Sequence, residues 1–366
     1  MMIYRCVITL ESPTIVSSKR TERGFFSELK YIPASTLGGA VNRVLNTLSN
    51  GKPRVICTPA YTLARSGEAT IPAHPFVYRC KGEEAKVFSS LKELNTPLVE
   101  VVSRDKVKNS LLRLECSEKH PVKSLHPNPV SLNDHNFSID FISLVSIGIN
   151  REAASTNIGL FYEYEAIAPG PSFIFYAAVL DESINLKELR RTTMHIGRGV
   201  SRGFGRAVVK EIEEINVYDE EERLRRDGVF PLYVLSPLLL ENKDSNITNI
   251  IEDAVDLARH AGLLEIGERV DGVLAPAGLD ISFFGTFSRY SMGYDLIKGV
   301  QRPYVTCLNP GSIVLCRWSS PPSKESLSMV FMKYIGLPVK LDKGFILYGL
   351  SMLSPFEKEP IEEVVR

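Results

Sequence analysis

The chain has 366 residues, 44% of them hydrophobic and 23% charged, with 43 Lys and Arg against 43 Asp and Glu. Zero net charge excludes a protein that coats nucleic acid with its whole surface, so any such contact has to come from local patches. The length favours two domains over one.

The start, Met1 to Leu10, is charged at Arg5 and reads as a strand, not as a signal peptide. The longest apolar run, Phe230 to Leu240, holds two prolines and is too short to span a bilayer. A soluble, cytoplasmic protein without a membrane partner is therefore expected. A basic loop, Ser17 to Arg23, carries Lys19, Arg20 and Arg23. A helix follows, with Leu37, Val41, Val44, Leu45 and Leu48 spaced for one face, Ser35 as N-cap and Gly51 past the end. Residues 53–140 mix prolines, short apolar runs and charge, as an irregular insertion would. Strands are expected at Ser143 to Ile149, Gly159 to Ala166 and Phe173 to Leu180. Residues 185–195 read as helix, Gly197 to Arg206 as a loop, and Ala207 to Ile215 as an alternating strand.

The dense charge over 216–228 reads as a solvated helical linker. It divides a first domain, 1–218, from a second, 229–366. The second half repeats the plan: a strand at Val229 to Leu240, a helix at Ile247 to Ala261, and strands at Ile281 to Phe287, Ser312 to Trp318 and Phe345 to Leu350. Strand-helix-strand order twice over predicts an α+β fold with two similar sheets.

The sharpest chemical signal lies between Leu189 and Lys210. Arg190, Arg191, Arg198, Arg202, Arg206 and Lys210 fall there with no carboxylate among them. Gly197, Gly199, Gly203 and Gly205 let the backbone approach a ligand and offer it N–H groups. Guanidinium groups pair with phosphate oxygens in bidentate fashion, and Phe204 offers a ring for stacking or for packing into the sheet. Such a loop suits a phosphodiester backbone. The bland alternative is a glycine-rich hairpin turn with solvated arginines. A dinucleotide-binding turn is excluded, because position 202 is Arg and the loop leads into a strand.

A second signal is Tyr31-Ile32-Pro33-Ala34-Ser35-Thr36-Leu37-Gly38-Gly39-Ala40, a helix start with an uncrowded first turn. It reads as a phosphate seat or as an ordinary capped helix. Lys19, Arg20 and Arg23 either reach the same ligand or stand solvated. Arg289, Tyr290, Tyr294, Lys298, Arg302 and Tyr304 interleave cations with rings, which suits single-stranded RNA or a protein edge.

His195, beside the basic loop, is the one plausible general base; His74 and His260 have no partner constellation. The cysteines stand at 6, 57, 80, 116, 307 and 316 without a C-x-x-C pair. Cys116-x-x-x-His120 has permissible zinc spacing, with Cys80 and Cys57 as further donors, but buried thiols are the expectation. Neither a metal site nor a cofactor is assigned.

The helix start and the run Gly197-Arg198-Gly199-Val200-Ser201-Arg202-Gly203-Phe204-Gly205-Arg206 together resemble the RAMP superfamily of CRISPR-associated proteins. Its members carry an I-P-[GA]-S-[ST]-L-[RK]-G-A helix start and a late R-G-[FY]-G loop. The match departs at Gly38, where the family has a basic residue. Gly159-Leu160-Phe161-Tyr162-Glu163-Tyr164-Glu165 with Pro169-Gly170-Pro171-Ser172-Phe173 is similar to the family's L-Y-x-x-E and G-x-x-F strand pair. Gly311-Ser312-Ile313-Val314 resembles a strand start of the large two-domain members. Order and spacing look most like the type III-D subunit that binds the crRNA 5′ handle.

The resemblance implies two ferredoxin-like (RRM-like) domains and a non-catalytic subunit that caps a type III effector ribonucleoprotein in antiviral defence. It implies crRNA as ligand, with a large polymerase-like subunit and backbone RAMP subunits as partners. The implied handle contacts are Ser35, Thr36, Gly39, Gly197, Arg198, Gly199, Ser201, Arg202, Gly203, Phe204 and Arg206. Two alternatives stay open: a metal-independent endoribonuclease processing precursor crRNA, and a protein-contacting scaffold subunit of the same complex.

Overall fold

The computed structural model describes residues 2–20, 26–48, 55–65, 67, 69–74, 77–82, 86–89, 116, 119–131, 137–150, 152, 155–179, 184–215, 229–239, 274–276, 283–284, 287–291, 294–295, 300–301, 304–311, 313–318, 337–341, 345–350 and 352–353. Among these the pairing is almost entirely antiparallel and α1 (Ala34–Leu48) is the one α-helix, an α+β arrangement. No helix among them is long and apolar enough to cross a membrane.

The main sheet is built around β1 (Met2–Leu10), whose Tyr4, Cys6, Ile8 and Leu10 are buried at the period of two that a half-covered strand requires. β13 (Ser172–Val179) and β15 (Arg206–Ile215) flank it, both antiparallel. β4 (Val55–Cys57) and β5 (Tyr61–Thr62) line the far side of β13, and β14 (Thr193–His195) lines the far side of β15. Numbered along the chain, the four strands β1, β4, β13 and β15 lie in the spatial order fourth, first, third, second.

α1 covers this sheet with Leu37, Val41 and Leu45, one residue per turn, packed against the same core as Ile8, Phe173 and Phe175. Each of these buried side chains stabilises the fold by about 1.5–3 kcal/mol. Asn42 fixes the helix in register. Its Nδ2 donates to the carbonyls of Gly38 and Val55, each at 2.9 Å, and its Oδ1 accepts from the Val55 N–H at 3.2 Å. The helix starts one residue before the expected cap: the Leu37 N–H donates to the Pro33 carbonyl, so Ser35 lies inside the first turn. Gly51 lies outside the described residues.

Two expectations change here. The region expected to be an irregular insertion from residue 53 joins the main sheet as β4 and β5, so the departure from the sheet starts after Thr62. The helix expected over 185–195 is one 3-10 turn, Leu186–Leu189, followed by β14. Arg191 stops it by adopting φ 64, and its N–H donates to the Val209 carbonyl, which commits the next residues to the sheet.

A second sheet stands beside the first. β11 (Phe141–Asn150) and β12 (Ser155–Ile167) form a long hairpin; β3 (Phe26–Glu28) pairs with β12 and β2 (Ser17–Arg20) forms the edge. The rest of the insertion makes smaller sheets. β6 (Ile71–Pro72) pairs with β10 (Pro129–Val130), and β7 (Val77–Cys80) lies between β8 (Val87–Ser89) and β9 (Val122–Ser124).

In the second half, Val229–Val234 pairs with Ile313–Trp318 on one side and Met352–Leu353 on the other, and Leu274–Pro276 lies beyond Ile313–Trp318. These four strands therefore repeat the spatial order of the main sheet. The run expected as one strand over Val229 to Leu240 breaks after Val234, and Leu238–Leu239 pairs with Tyr304–Leu308 in a separate sheet. The Leu235 carbonyl at that break accepts the Tyr61 hydroxyl at 2.5 Å. Gly311, at φ +85, lies so close to the backbone of Pro72 and Ala73 that a Cβ would strike it. The expected helix over 247–261 and the linker over 216–228 lie outside the described residues.

Candidate nucleic-acid interface

The loop between β14 and β15 starts from a fixed base, because His195 and Arg206 are register partners at its two ends. The Ile196 N–H donates to the Gly205 carbonyl at 2.8 Å, closing the neck. At the tip, Gly199 and Gly203 flank a 3-10 turn, Val200–Arg202, both in the left-handed region. Two other glycines are required by contact as well as by φ. A Cβ on Gly197 would enter the Ile15 carbonyl and one on Gly205 the Ile196 carbonyl. The Phe204 ring lies on Gly199 and is half-buried, so it folds into the loop.

Most loop amides are committed within the protein. Arg198 N–H donates to Ile15, Arg202 N–H and Phe204 N–H to Gly199, Gly203 N–H to Val200, and Gly205 N–H to Pro13. Arg206 N–H donates to the Ser12 hydroxyl at 2.8 Å. These bonds hold the shape of the loop, and the side chains of Arg198, Ser201, Arg202 and Arg206, all exposed, are donors that it presents.

Those arginines differ in setting. Arg202 donates to the Tyr164 hydroxyl at 2.5 Å, and its guanidinium carbon stands 6.0 Å from the centroid of that ring. Arg206 pairs with Glu11 at 3.0 Å. Tyr164 and Glu11 are side-chain partners of the arginines that no sequence pattern singled out, as are Ser12, Pro13 and Ile15 as partners of the loop's backbone. At the other end of β15 the surface turns acidic: Glu211 and Glu213 each lie 3.6 Å from Arg5, and Glu214 lies 3.5 Å from Lys187. Positive charge is therefore gathered at the loop end of the sheet.

The structure brings a second basic segment to the same place. Ile15 bridges to Arg198, and Thr14 bridges to Ile167 at the end of β12. Two residues on, β2 begins and carries Lys19 and Arg20 opposite Ser27 and Phe26. Phe26 is in turn the register partner of Tyr164. Segments far apart in the sequence thus converge around Tyr164. Arg23 lies outside the described residues.

α1 lies against β14. In its first turns Ser35 and Thr36 are half-buried and Gly39 is exposed, and a Cβ on Gly38 or Gly39 would meet open space. Arg289 is opposite Thr306 in a separate sheet formed by Leu238–Leu239, Tyr304–Leu308 and Phe287–Ser291. Lys298 and Arg302 lie outside the described residues.

His195 is exposed at the base of the loop. His74 is fully buried, and burial together with the neighbouring His126 lowers its pKa to about 3, so it is neutral at physiological pH. His260 lies outside the described residues. Cys57 sits in the main sheet, its thiol pushed up to about 12 by burial. It is therefore not near Cys116 and His120 as a further donor, whereas Cys80 is.

No family model matches the chain and no curated protein matches it. Among solved structures it is similar to a chain of the type III-B Cmr-beta bound to cognate target RNA, at 14% identity over 90% of this chain and 93% of that one, with a TM-score of 0.48. A chain of the type III-B Cmr-beta bound to cognate target RNA and AMPPnP gives 15% identity over 90% and 93%, with a TM-score of 0.45. Oligomeric Cmr4 from Pyrococcus furiosus gives 12% over 59% of this chain and 100% of that one, with a TM-score of 0.25. At identities this low, a role has to come from the chain's own residues.

Proposed function

We propose that this chain is a RAMP subunit of a type III CRISPR effector ribonucleoprotein that binds the repeat-derived 5′ handle of crRNA and is itself non-catalytic. The observation that carries this reading is the set of exposed arginines, Arg198, Arg202 and Arg206, on one loop anchored by its own amides, with Arg202 on Tyr164 and β2 starting two residues after the Ile15 bridge to Arg198. A cationic loop near a helix start with open space at Gly38 and Gly39 suits a single-stranded RNA backbone, with sequence preference left to unstacked bases. The repeated strand order supports two ferredoxin-like domains, 1–218 and 229–366. In this reading a large polymerase-like subunit and backbone RAMP subunits complete the groove.

The test is to purify the tagged protein from its host and sequence the bound RNA. Fragments sharing one repeat-derived 5′ end are expected. A random RNA population, or none, refutes the reading. Incubating the purified protein with repeat RNA tests the non-catalytic part: cleavage abolished by His195→Ala would make it an endoribonuclease instead.

A further inference from the structure

The three-stranded sheet of the insertion is small. Its core is Tyr78, Cys80, Phe88 and Cys116, with Val122 packed against them. Val77 and Val87 of the same strands pack instead with Ala73, Leu125 and Val130, so the cysteines belong to one small cluster of their own. Its two cysteines lie on either side of the long excursion between residues 80 and 116, and a tight turn follows the second. The Lys119 N–H donates to the Cys116 carbonyl at 2.8 Å, the Cys116 N–H donates to the His120 carbonyl at 3.0 Å, and Lys119 takes φ 60. That turn brings the His120 ring beside the thiols. Its Nδ1 is 3.8 Å from Cys80 Sγ, and one donor atom from each of Cys80, Cys116 and His120 lies within 4.8 Å of the others.

We propose that Cys80, Cys116 and His120 form a zinc site that staples this sheet, with the fourth tetrahedral position open to solvent beside the exposed His120. Two sulfurs and one imidazole nitrogen match the donor preference of Zn²⁺. With Zn–S near 2.3 Å and Zn–N near 2.0 Å, tetrahedral geometry sets sulfur and nitrogen about 3.5 Å apart, close to the separation found here. The surroundings are those a metal thiolate needs. The Gly82 N–H donates to Cys80 Sγ at 3.4 Å, stabilising negative charge on that sulfur. Gly82 also makes room for the third ligand, because a Cβ there would run into the His120 ring, 3.1 Å from its Cγ. Binding deprotonates both thiols, and the metal closes the excursion as a cross-link would.

The full-length protein, expressed with a cleavable tag other than polyhistidine and kept reduced, is assayed by elemental analysis. About one zinc per chain is expected. Cys80→Ser, Cys116→Ser and His120→Ala each lower it at least about tenfold, and Cys57→Ser leaves it in place. Replacement by Co²⁺ gives the sulfur-to-cobalt charge-transfer band and strong visible absorption of a tetrahedral site. This readout on the unaltered protein does not depend on whether a variant folds. Gly82→Ala, which removes no donor, weakens cobalt binding. Absence of both zinc and the cobalt band in the reduced wild type overturns the proposal. So does zinc retained by the Cys80→Ser, Cys116→Ser double variant, or a Cys80–Cys116 disulfide in the unreduced protein. None of these readouts involves RNA, so their failure leaves the RNA-binding reading standing.

Discussion

Replacing Arg198, Arg202 and Arg206 together by Gln tests whether the loop holds a phosphate backbone. The fold should survive. Arg206 is 57% and Glu11 36% exposed, and such surface pairs contribute about 0–1 kcal/mol. The Arg202 stack on Tyr164 adds about 0.5–1 kcal/mol at a surface site. RNA affinity should change more, and in a way that depends on salt. Each phosphate neutralised on a single strand contributes about 0.7 to the slope of log affinity against log salt, so losing three lowers the slope by about 2. Over a fourfold rise in salt, the affinity gap between wild type and variant narrows by about 15–20-fold. The single variants should differ. Arg206→Gln leaves Glu11 uncompensated beside the RNA, and restoring neutrality with Glu11→Gln should recover part of the loss. Fluorescence anisotropy with a labelled single-stranded repeat RNA at several KCl concentrations measures the slopes. Equal slopes for wild type and the triple variant would refute phosphate contact by this loop and favour a scaffold that meets protein there.

Three further outcomes follow from the geometry. Gly203→Ala and Gly205→Ala both place a side chain at positive φ, which costs about 1–2 kcal/mol, but only Gly205 also faces a backbone carbonyl; urea unfolding should show Gly205→Ala as the more destabilised of the two. Asn42→Ala removes the two bonds that join α1 to Val55 of β4, with the one to Gly38 inside the helix, and should cost about 1–3 kcal/mol, read as a lowered thermal midpoint. His74 titrates near 3 when folded and near 6.5 when unfolded, so the unfolded state binds the extra proton: stability is full above about pH 6.5 and falls as the pH drops toward 3, by about 2 kcal/mol at pH 5. A urea midpoint that does not move between pH 7.5 and pH 5 would contradict this, and His74→Leu should flatten the dependence.

Much of the first half was legible because its signals are local. The period of four in Leu37, Val41 and Leu45 located α1, alternation located β15, and runs of apolar, aromatic and β-branched residues located β1, β12 and β13. The arginines and glycines of the loop were legible for the same reason. What stayed hidden depends on partners distant in sequence. Nothing near Tyr164 announces Arg202, and nothing near Glu11 announces Arg206. The short strands at 55–57 and 61–62 carry too few residues to show a period, and they become strands by pairing with β13. Residues 185–195 have helix-compatible composition, but the left-handed turn at Arg191 is set by its bond to Val209. The spacing of Cys116 and His120 was visible, whereas choosing Cys80 over Cys57 as their companion required the fold.

The stretch from Thr14 to Ile15 bonds in opposite directions on consecutive residues, Thr14 to the end of the long hairpin and Ile15 to the base of the arginine loop. A dipeptide that straddles two sheets pins one to the other. Both residues are buried, so the base of the loop and the end of β12 are held together at the margin of the core. The same pin holds the hairpin whose outer strand, β11, leaves Val145, Ile147 and Ile149 exposed to solvent.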